Sequence, residues 1–355
     1  MNNDFNRLMV EATRLTRSGD LHAATAAIQA ALGQGTGSAP PGAAGRYDAI
    51  DVEARVLPDP ATGTGAHAYV DVPPAGEFVA GRYANAADGR DYKLFIPPQA
   101  GERALPLVVM LHGCTQNPDD FAAGTAMNEA ALAQGFFVLY PAQSRQANPQ
   151  GCWNWFKHSH QQRGRGEPAL LAGMAQQLMA QHAIDPQRVY VAGLSAGGAM
   201  AAILGDAYPD LFAAVGVHSG LAAGAASDLP GALMAMRGGA AMAGDGTSGV
   251  PTIVFHGDAD ATVHASNGVQ VIAASAGKAS VADVEDVQGG NRRSATRHVH
   301  RAADGRVVAE QWVVHGGPHA WSGGSAKGSY TDSRGPDATA EMLRFFFDHP
   351  RRPPH

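Results

Sequence analysis

From about residue 76, short apolar runs alternate along the chain with stretches of helical periodicity. Two runs around an Asp88-Gly89 turn predict a β-hairpin, Glu77 to Tyr83 and Asp91 to Ile96. Further apolar runs predict strands at Pro106 to Leu111, Phe136 to Tyr140, Val189 to Gly193, Phe212 to Val217, Thr252 to Phe255 and Val307 to Val314. Helices are predicted from Pro168 through Leu178, over Ala196 to Tyr208 and over Ala338 to Phe347. This alternation favours an α/β class with a mostly parallel central sheet and helices on both faces.

The segments outside this alternation differ in composition. Apolar positions at helical spacing on either side of Ser18-Gly19-Asp20 predict a short N-terminal helical hairpin over residues 1–35. Residues 36–75, rich in Gly, Pro, Ala and Thr, are predicted to be a linker or arm. The main domain is therefore expected over residues 76–350. Within it, residues 221–249 are rich in Gly, Ala and Met and are expected to be a cap insertion.

Composition limits the classes of partner. Hydrophobic residues make up 45% of the 355 residues and charged residues 16%, which supplies a sizeable core and is unlike a disordered chain. The formal charge is −6, and the densest basic cluster, Arg292, Arg293, Arg297 and Arg301, is short and has no interleaved aromatic residues. We expect this cluster to be a solvated surface segment and expect no nucleic-acid partner.

The sequence carries no sign of a membrane span or a leader. It has no run of about 18 apolar residues, so no transmembrane helix is expected. The N-terminal Met-Asn-Asn-Asp has neither a basic start nor an apolar stretch, which predicts the absence of a secretory signal and a cytoplasmic protein. The alternative is a secreted or periplasmic protein whose leader is not in this chain. The oligomeric state stays open.

A strand, a G-x-S-x-G turn and a helix follow one another around Ser195. Gly193 and Gly197 leave room for a tight turn that holds the Ser195 hydroxyl out of the sheet. The helix begins directly after the serine, so its N-terminal N–H groups face the charge that develops in acyl transfer. This arrangement predicts the α/β-hydrolase fold with Ser195 as the nucleophile. The alternative is a structural glycine turn.

A serine nucleophile needs a base and a carboxylate that orients the base, in this fold in the chain order serine, acid, histidine. Asp258 and Asp260 both follow the predicted strand Thr252 to Phe255. We favour Asp260, because Asp258 lies so near the strand end that it is expected to fix the turn; in a further alternative both are turn residues. His319, in a Gly/Pro-rich loop after the last strand, is predicted as the base. Its competitor His315 lies at the strand end and is expected to point into packing.

The predicted strand Pro106 to Leu111 is followed by a loop that begins with His112-Gly113. This loop is expected to complete the active site. In hydrolases of this fold, that loop donates one backbone N–H to the oxyanion and the residue after the nucleophile donates the other. The predicted donors are Cys114 and Ala196, whereas His112 is expected to be structural. No metal site and no cofactor are predicted, since no carboxylate or H-E-x-x-H helix supports the nearest pair of histidines, His158 and His160.

Five motifs together resemble those of the polyhydroxybutyrate (PHB)-depolymerase-like esterases, a group that also takes in feruloyl and acetylxylan esterases. In chain order they are His112-Gly-Cys-Thr-Gln116, Cys152-Trp-Asn-Trp155, Gly193-Leu-Ser-Ala-Gly-Gly198, Phe255-His-Gly-Asp-Ala-Asp260 and Gly317-Pro-His-Ala-Trp-Ser-Gly-Gly324. The resemblance covers residues 76 to about 348. It implies a serine esterase with Ser195, Asp260 and His319 as the triad and the amides of Cys114 and Ala196 as the oxyanion hole.

The resemblance also implies an aromatic-lined substrate pocket and a disulfide. Trp153, Trp155 and Trp321 are expected to contribute to the pocket, with simple core packing as the alternative. A bridge between Cys114 and Cys152 is implied by secreted relatives, although the missing signal peptide favours reduced thiols.

The substrates that the resemblance implies are hydroxyalkanoate oligomers, polyester, or short-chain or aryl esters. A feruloyl or acetylxylan esterase is the first alternative, and an acyltransferase or peptidase of the same fold is the second. Because the chain ends soon after the predicted closing helix, soluble esters, oligomers or amorphous polyester are expected rather than crystalline granules.

Overall fold

The computed structural model describes residues 75–85, 88–239, 249–277 and 281–351. In this part of the chain, the strands are β1 Glu77–Ala84, β2 Gly89–Ile96, β3 Leu105–Leu111, β4 Phe137–Pro141, β5 Ile184–Leu194, β6 Ala214–His218, β7 Thr252–Gly257, β8 Val281–Val287, β9 Ala295–Arg301, β10 Val307–Val314, β11 Trp321–Ser322 and β12 Thr331–Asp332. The α-helices are α1 Pro118–Thr125, α2 Met127–Gln134, α3 Gly166–Gln181, α4 Ala196–Ala207, α5 Leu229–Met234, α6 Ser266–Ala276 and α7 Ala338–Asp348.

Ten of these strands form one sheet in the order β1-β2-β4-β3-β5-β6-β7-β10-β9-β8. The central strands from β4 to β10 in this order are parallel to their neighbours. The pairs β1–β2, β2–β4, β10–β9 and β9–β8 at the two edges are antiparallel. The mostly parallel α/β sheet predicted from the apolar runs is therefore confirmed.

The core lies on both faces of this sheet. In β3, Leu107, Val109 and Leu111 belong to one apolar cluster, while Val108 and Met110 belong to another, as the alternation of side chains along a strand requires. The first cluster includes side chains of α3, α4 and α6, and the second includes side chains of α1, α2 and α7. A strand buried on both faces must be apolar throughout, which explains the continuous run of β3.

The carboxyl ends of the central strands meet at one edge of the sheet. Leu194 at the end of β5 pairs with His218 at the end of β6, and His218 pairs with Phe255 of β7. Gly257, the last residue of β7, pairs with Val314, the last residue of β10. The loops that carry the predicted nucleophile, acid and base therefore all leave the sheet at the same edge, where open α/β sheets bind their ligands.

Among the described residues, four strands and four helices were not predicted: β8, β9, β11 and β12, and α1, α2, α5 and α6. β8 reads Val-Ala-Asp-Val-Glu-Asp-Val and lies at the sheet edge, with residues 283–286 exposed, so it lacks the apolar run of a buried strand. Helix α1 does carry a start signal, because Asn117 caps it by accepting from the Asp120 N–H (3.0 Å) and Pro118 is its first residue. Helices α2, α5 and α6 were not predicted either.

The basic cluster lies in and beside the unpredicted strand β9. Arg297 pairs with buried Glu310 (2.8 Å) and with Glu285 (2.9 Å), and Arg301 pairs with Asp283 (2.9 Å). The charges of these two arginines are therefore compensated by carboxylates on the neighbouring strands. Among the residues described, no helix combines the length and the apolar character that crossing a membrane requires.

The predicted helical hairpin over residues 1–35 and all but the last residue of the predicted linker 36–75 lie outside the described residues, as do residues 240–248 of the expected cap insertion. The described part of that insertion contains α5 and a turn of π-helix, Ala235–Gly239. The carbonyl of Met236 accepts from the His264 N–H (2.7 Å), and that of Ala235 accepts from the Asn267 side chain (2.9 Å). The segment therefore packs beside the loop that follows β7, and its role as a cap stays a prediction.

Candidate active site

Ser195 lies in a sharp turn between β5 and α4. Its backbone has φ 58° and ψ −119°, a conformation that costs a non-glycine residue roughly 1–3 kcal/mol. The Ser195 N–H donates to the carbonyl of His218 (2.9 Å), and its carbonyl accepts from the N–H of Ala199 in α4 (2.9 Å). These bonds hold the turn in its strained form, and Ser195 stays partly exposed.

Glycine is required on both sides of Ser195 because the backbone chains approach closely there. A Cβ atom at Gly193 would lie 2.4 Å from the carbonyl carbon of Gly197. One at Gly197 would lie 2.0 Å from the carbonyl oxygen of Leu111 in β3. The spacing of the G-x-S-x-G motif is therefore a packing requirement among β3, β5 and α4.

His319 and Asp260 form a hydrogen-bonded pair. Nδ1 of His319 lies 2.7 Å from Oδ2 of Asp260, whose side chain is completely buried. The other carboxylate oxygen of Asp260 accepts from the backbone N–H groups of Thr262 (2.9 Å) and Val263 (2.8 Å). Burial alone would raise the pKa of Asp260, but hydrogen bonds from His256 and His319 and the backbone bond lower it well below its ordinary value. Asp260 is thus an ionised, fixed carboxylate that orients the imidazole of His319.

Asp258 and His315, the two competitors, pair with each other at the surface. Asp258 accepts from the Gly316 N–H (2.6 Å) and lies 3.0 Å from Nδ1 of His315, and both side chains are more than two-fifths exposed. Asp258 therefore accepts from a backbone N–H as expected, but in the turn after β10 and not in the turn after its own strand, β7. The expectation that His315 points into packing is wrong, because its ring is solvated and its Nε2 lies 2.9 Å from the Thr296 hydroxyl.

The structure forms the acid–base half of the predicted triad as a direct contact. Among the described residues, no hydrogen bond joins Oγ of Ser195 to the ring of His319, whose side chain is 13% exposed. Hydrogen bonds between a nucleophile and its base are often long in a ligand-free site and shorten in the substrate complex. The base loop, residues 315–320 with His319, is positioned relative to Ser195 through a third residue, His218.

His218 links the nucleophile turn to the base loop. Its carbonyl accepts from the Ser195 N–H, and its Nε2 accepts from the N–H of Ser322, three residues after His319 (2.9 Å each). The ring is buried and stacks on Trp321, with 5.1 Å between ring centroids. Burial, helped by the nearby imidazoles, lowers the pKa of His218 to about 3, so the ring stays neutral and can accept.

His256 is a second buried histidine beside the acid. Its Nε2 lies 2.8 Å from the carbonyl oxygen of Val263 and 3.5 Å from Oδ2 of Asp260. With its proton on Nε2, His256 donates to both oxygens and thereby holds the loop after β7, which carries Asp260 and Val263, against its ring. Sequence reasoning missed His218 and His256, although each lies at or next to the last residue of a buried strand, which is the signal that could have indicated them.

The predicted oxyanion donors are Cys114, in a loop that side chains hold in place, and Ala196, the first residue of α4. The Gly113 N–H donates to Oε1 of Gln116 (2.9 Å), and Nδ1 of His112 donates to the Gly113 carbonyl (2.8 Å) while its Nε2 accepts from a backbone N–H (3.1 Å). In the part of the chain that the structure describes, the N–H groups of Cys114 and Ala196 have no acceptor. Two N–H groups without an acceptor, one of them on the residue after Ser195, match the need of a tetrahedral oxyanion.

Cys114 and Cys152 are joined by a disulfide, which ties the loop of residues 112–116, the predicted oxyanion loop, to the segment that contains Trp153 and Trp155. The sequence prediction of this bridge thus agrees with the geometry of the two loops. Among the described residues, no cluster of His, Cys, Asp and Glu side chains has the arrangement of a metal site.

The family of the chain follows from comparison with known proteins. The family model described as Esterase PHB depolymerase matches residues 90–300, which is more than half of the chain. The chain belongs to the Esterase PHB depolymerase family. The match contains Ser195 and Asp260, while His319 lies beyond its end.

The relatives of this family member are esterases and depolymerases. Poly(3-hydroxyalkanoate) depolymerase C of Paucimonas lemoignei is 35% identical over 60% of this chain and 54% of the relative. Feruloyl esterase B of Thermothelomyces thermophilus is 33% identical over 38% of this chain and 45% of the relative. The chain thus spans about half the length of these curated relatives. A solved structure, an acetyl xylan esterase from Aspergillus awamori, shares the fold with TM-score 0.58 and 18% identity over 76% of this chain and 99% of that one.

The tryptophans expected to line the pocket of this esterase-family chain are buried. Trp153 is 0% and Trp321 is 1% exposed, and their Nε1–H groups donate to the His112 carbonyl (3.1 Å) and the Thr339 hydroxyl (3.0 Å). The prediction that these two contact substrate is corrected, because they offer no accessible surface; core packing was the right alternative. Trp155 is 5% exposed, and its role stays a prediction.

Proposed function

We propose that this chain is a carboxylic ester hydrolase that works through an acyl-enzyme on Ser195, with residues 76–350 as its catalytic domain. One observation carries the proposal: the His319–Asp260 hydrogen bond (2.7 Å) lies at the sheet edge where Ser195 occupies its strained turn. Membership of the esterase family and the names of the relatives support it.

In the acylation step, Nε2 of His319 takes the proton of Ser195 Oγ while that oxygen attacks the ester carbonyl carbon. Asp260 holds the proton on Nδ1 of His319, which leaves Nε2 free to accept, and stabilises the imidazolium that forms. The imidazolium then gives its proton to the leaving alcohol as the ester C–O bond breaks.

The backbone N–H groups of Cys114 and Ala196 hold the negative oxygen of the tetrahedral intermediate. Because both belong to fixed backbone, they cost little reorganisation when the charge develops, and removing one such donor typically lowers kcat about 10²–10³-fold. Water activated by His319 then attacks the acyl-enzyme through a second tetrahedral intermediate and releases the carboxylic acid. No step of this mechanism requires a cofactor.

The proposed substrates are hydroxyalkanoate oligomers, polyester, or short-chain or aryl esters. The depolymerase relative favours the hydroxyalkanoates, and the feruloyl esterase relative favours aryl esters as the alternative. A screen of p-nitrophenyl esters by acyl length, hydroxybutyrate oligomers and methyl ferulate separates these classes by kcat/KM.

The decisive comparison uses Ser195→Ala beside a matched serine variant, Ser275→Ala, whose hydroxyl donates to a carbonyl within α6. We expect Ser195→Ala to lose at least about 10³-fold in kcat and Ser275→Ala to retain it. Undiminished turnover by Ser195→Ala would contradict the proposal. Adding alcohols or amines as competing acceptors tests for an acyltransferase: transfer faster than hydrolysis would favour that alternative. Cleavage of peptides in preference to esters would favour a peptidase.

A further inference from the structure

Tyr330 lies where the oxyanion loop and the base loop meet. Its carbonyl accepts from the N–H of Trp321, two residues after His319 (2.7 Å). Its hydroxyl lies 3.2 Å from the hydroxyl of Thr115, the residue after Cys114. Tyr330 therefore touches both loops that frame the proposed site, although no sequence motif indicates it.

Two features of Tyr330 are unusual for a residue with a structural role. Its backbone has φ +51°, in the left-handed region that a bulky residue avoids, and its side chain is 48% exposed. Strained backbone persists only where its surroundings hold it, and it concentrates at ligand-binding sites. A residue selected for stability alone at this position would be glycine, which adopts this φ without strain.

The neighbouring residue explains how this conformation is held. The Ser329 N–H donates to Asp120 (2.8 Å), and the Ser329 carbonyl accepts from Nε2 of Gln116 (3.1 Å). Gln116 is also the residue whose Oε1 holds the oxyanion loop at Gly113. The segment before Tyr330 is therefore fastened to the oxyanion loop, so the exposed ring is held in a fixed place beside it.

We propose that Tyr330 determines the substrate specificity of the esterase: its exposed ring forms one side of the ester-binding site beside Cys114 and packs against an apolar chain or aryl ring of the ester. The inference rests on the proposed esterase function. An aromatic ring offers a large, rigid apolar face and keeps its hydroxyl for a polar partner, here Thr115. Since Trp153 and Trp321 are buried, this exposed ring takes the place that they were expected to fill.

The test compares Tyr330→Gly, Tyr330→Phe and Thr115→Val. Tyr330→Gly removes the ring and relieves the strain of the positive φ, whereas the other two variants keep the ring and remove the contact between the two hydroxyl groups. Substrates are p-nitrophenyl acetate and p-nitrophenyl hexanoate, which differ in the acyl chain, and ethyl and phenyl acetate, which differ in the alcohol. The substrate pair whose KM changes shows whether the acyl side or the alcohol side of the ester contacts the ring.

We expect Tyr330→Gly to raise KM about tenfold for the larger member of one pair, the equivalent of about 1.4 kcal/mol, with kcat nearly unchanged and no loss of Tm. Tyr330→Phe and Thr115→Val keep the ring, so the ratio of kcat/KM between the larger and the smaller member of each pair should stay within about twofold of the wild-type ratio. Equal effects on small and large esters, or losses in Tyr330→Phe and Thr115→Val that match Tyr330→Gly, would overturn the inference. The proposed function is tested separately: if the wild type hydrolyses p-nitrophenyl acetate and Ser195→Ala does not, the esterase function stands whatever the Tyr330 variants show.

Discussion

The carboxylate of Glu167 accepts hydrogen bonds from both the backbone N–H and the side-chain amide of Asn154, each at 2.7 Å. It also accepts from Nε2 of Gln143 (2.6 Å), which in turn donates to the carbonyl of Cys152 (2.9 Å). Glu167 is 3% exposed, so burial alone would raise its pKa, but the nearby His160 and these hydrogen bonds keep the pKa below its ordinary value. The segment bridged to the oxyanion loop is therefore held by a buried carboxylate as well as by the disulfide.

Replacing Glu167 with Ala should destabilise the fold. The change leaves buried donors of Asn154 and Gln143 without an acceptor, and each such group costs about 1–3 kcal/mol, so we expect a loss of roughly 3–5 kcal/mol. Glu167→Gln keeps one acceptor oxygen and should lose less. Urea unfolding measures both losses, provided that the slope m of the unfolding free energy against urea concentration stays the same in all variants.

The matched control is Glu285→Gln, at a carboxylate that is 55% exposed and pairs with Arg297. An exposed ion pair of this kind contributes about 0–1 kcal/mol, so the control should stay close to the wild type. A loss in Glu167→Ala no larger than in Glu285→Gln would mean that the buried bonds do not contribute to stability.

Reduction of the Cys114–Cys152 disulfide should lower both stability and kcat. The bridge spans a sequence separation of 38, which corresponds to roughly 4 kcal/mol in the chain-entropy description. Because Cys114 carries a proposed oxyanion N–H, loosening it should affect kcat more than KM. Activity and thiol content measured with and without a phosphine reductant check this. A Cys114→Ser/Cys152→Ser variant should have the lowered kcat without reductant, and adding the reductant should not change it. An unchanged kcat in the fully reduced wild type would contradict the prediction.

The positions of the strand ends could be predicted from sequence because local pattern determines them. A continuous apolar run such as Val189 to Gly193 has to be buried on both faces, and the glycines around Ser195 reflect a close approach of backbone that only glycine permits. The order of parallel strands then brings Asp260 and His319 to one edge. The motifs, the spacing of apolar residues and the chain order were together sufficient to place these residues at the same edge, and their catalytic roles stay predictions.

The surroundings of the site could not be predicted in this way. The same local sequence allows an aromatic side chain near a loop either to pack inward or to face a ligand. Buried Trp321 and exposed Tyr330 are therefore distinguished only by their tertiary contacts. Buried histidines such as His218 have no periodic signal, because their role depends on a backbone N–H more than 100 residues away in sequence. The edge strand β8 is polar and gives no apolar run.

Asp260 and Asp258 should differ sharply in their effect on catalysis. Asp260→Asn replaces the acceptor on Nδ1 of His319 and favours the wrong tautomer, so we expect kcat to fall about 10⁴-fold. Asp258→Asn is the control: this residue is exposed, and the new amide oxygen can still accept from the Gly316 N–H. Its kcat should remain within about fivefold, as for surface changes away from the chemistry. Equal losses in the two variants would exclude Asp260 as the orienting acid.

The ionised state of Asp260 should also appear in the pH dependence of stability. A carboxyl group whose pKa is lowered on folding stabilises the native state fully above its unfolded value of about 3.9, and this contribution is lost as the pH falls below that value. The difference in unfolding free energy between wild type and Asp260→Asn should therefore shrink as the pH is lowered from about 5 to 3. Urea unfolding across this range measures it, and a difference independent of pH would contradict the assignment of a lowered pKa.

His218 should remain neutral far below the pH at which an exposed histidine takes up a proton. Burial lowers its pKa to about 3, and its Nε2 accepts from the Ser322 N–H, so the proton belongs on Nδ1. Between the unfolded value of about 6.5 and the folded value, the unfolded chain binds a proton that the folded chain does not, so this residue makes stability fall as the pH falls. Nitrogen-15 NMR should find one ring signal of the Nδ1–H tautomer that does not move from pH 7 to 4 and is missing in His218→Gln. A His218 signal that titrates near pH 6.5 would contradict both the buried neutral ring and its bond to the base loop.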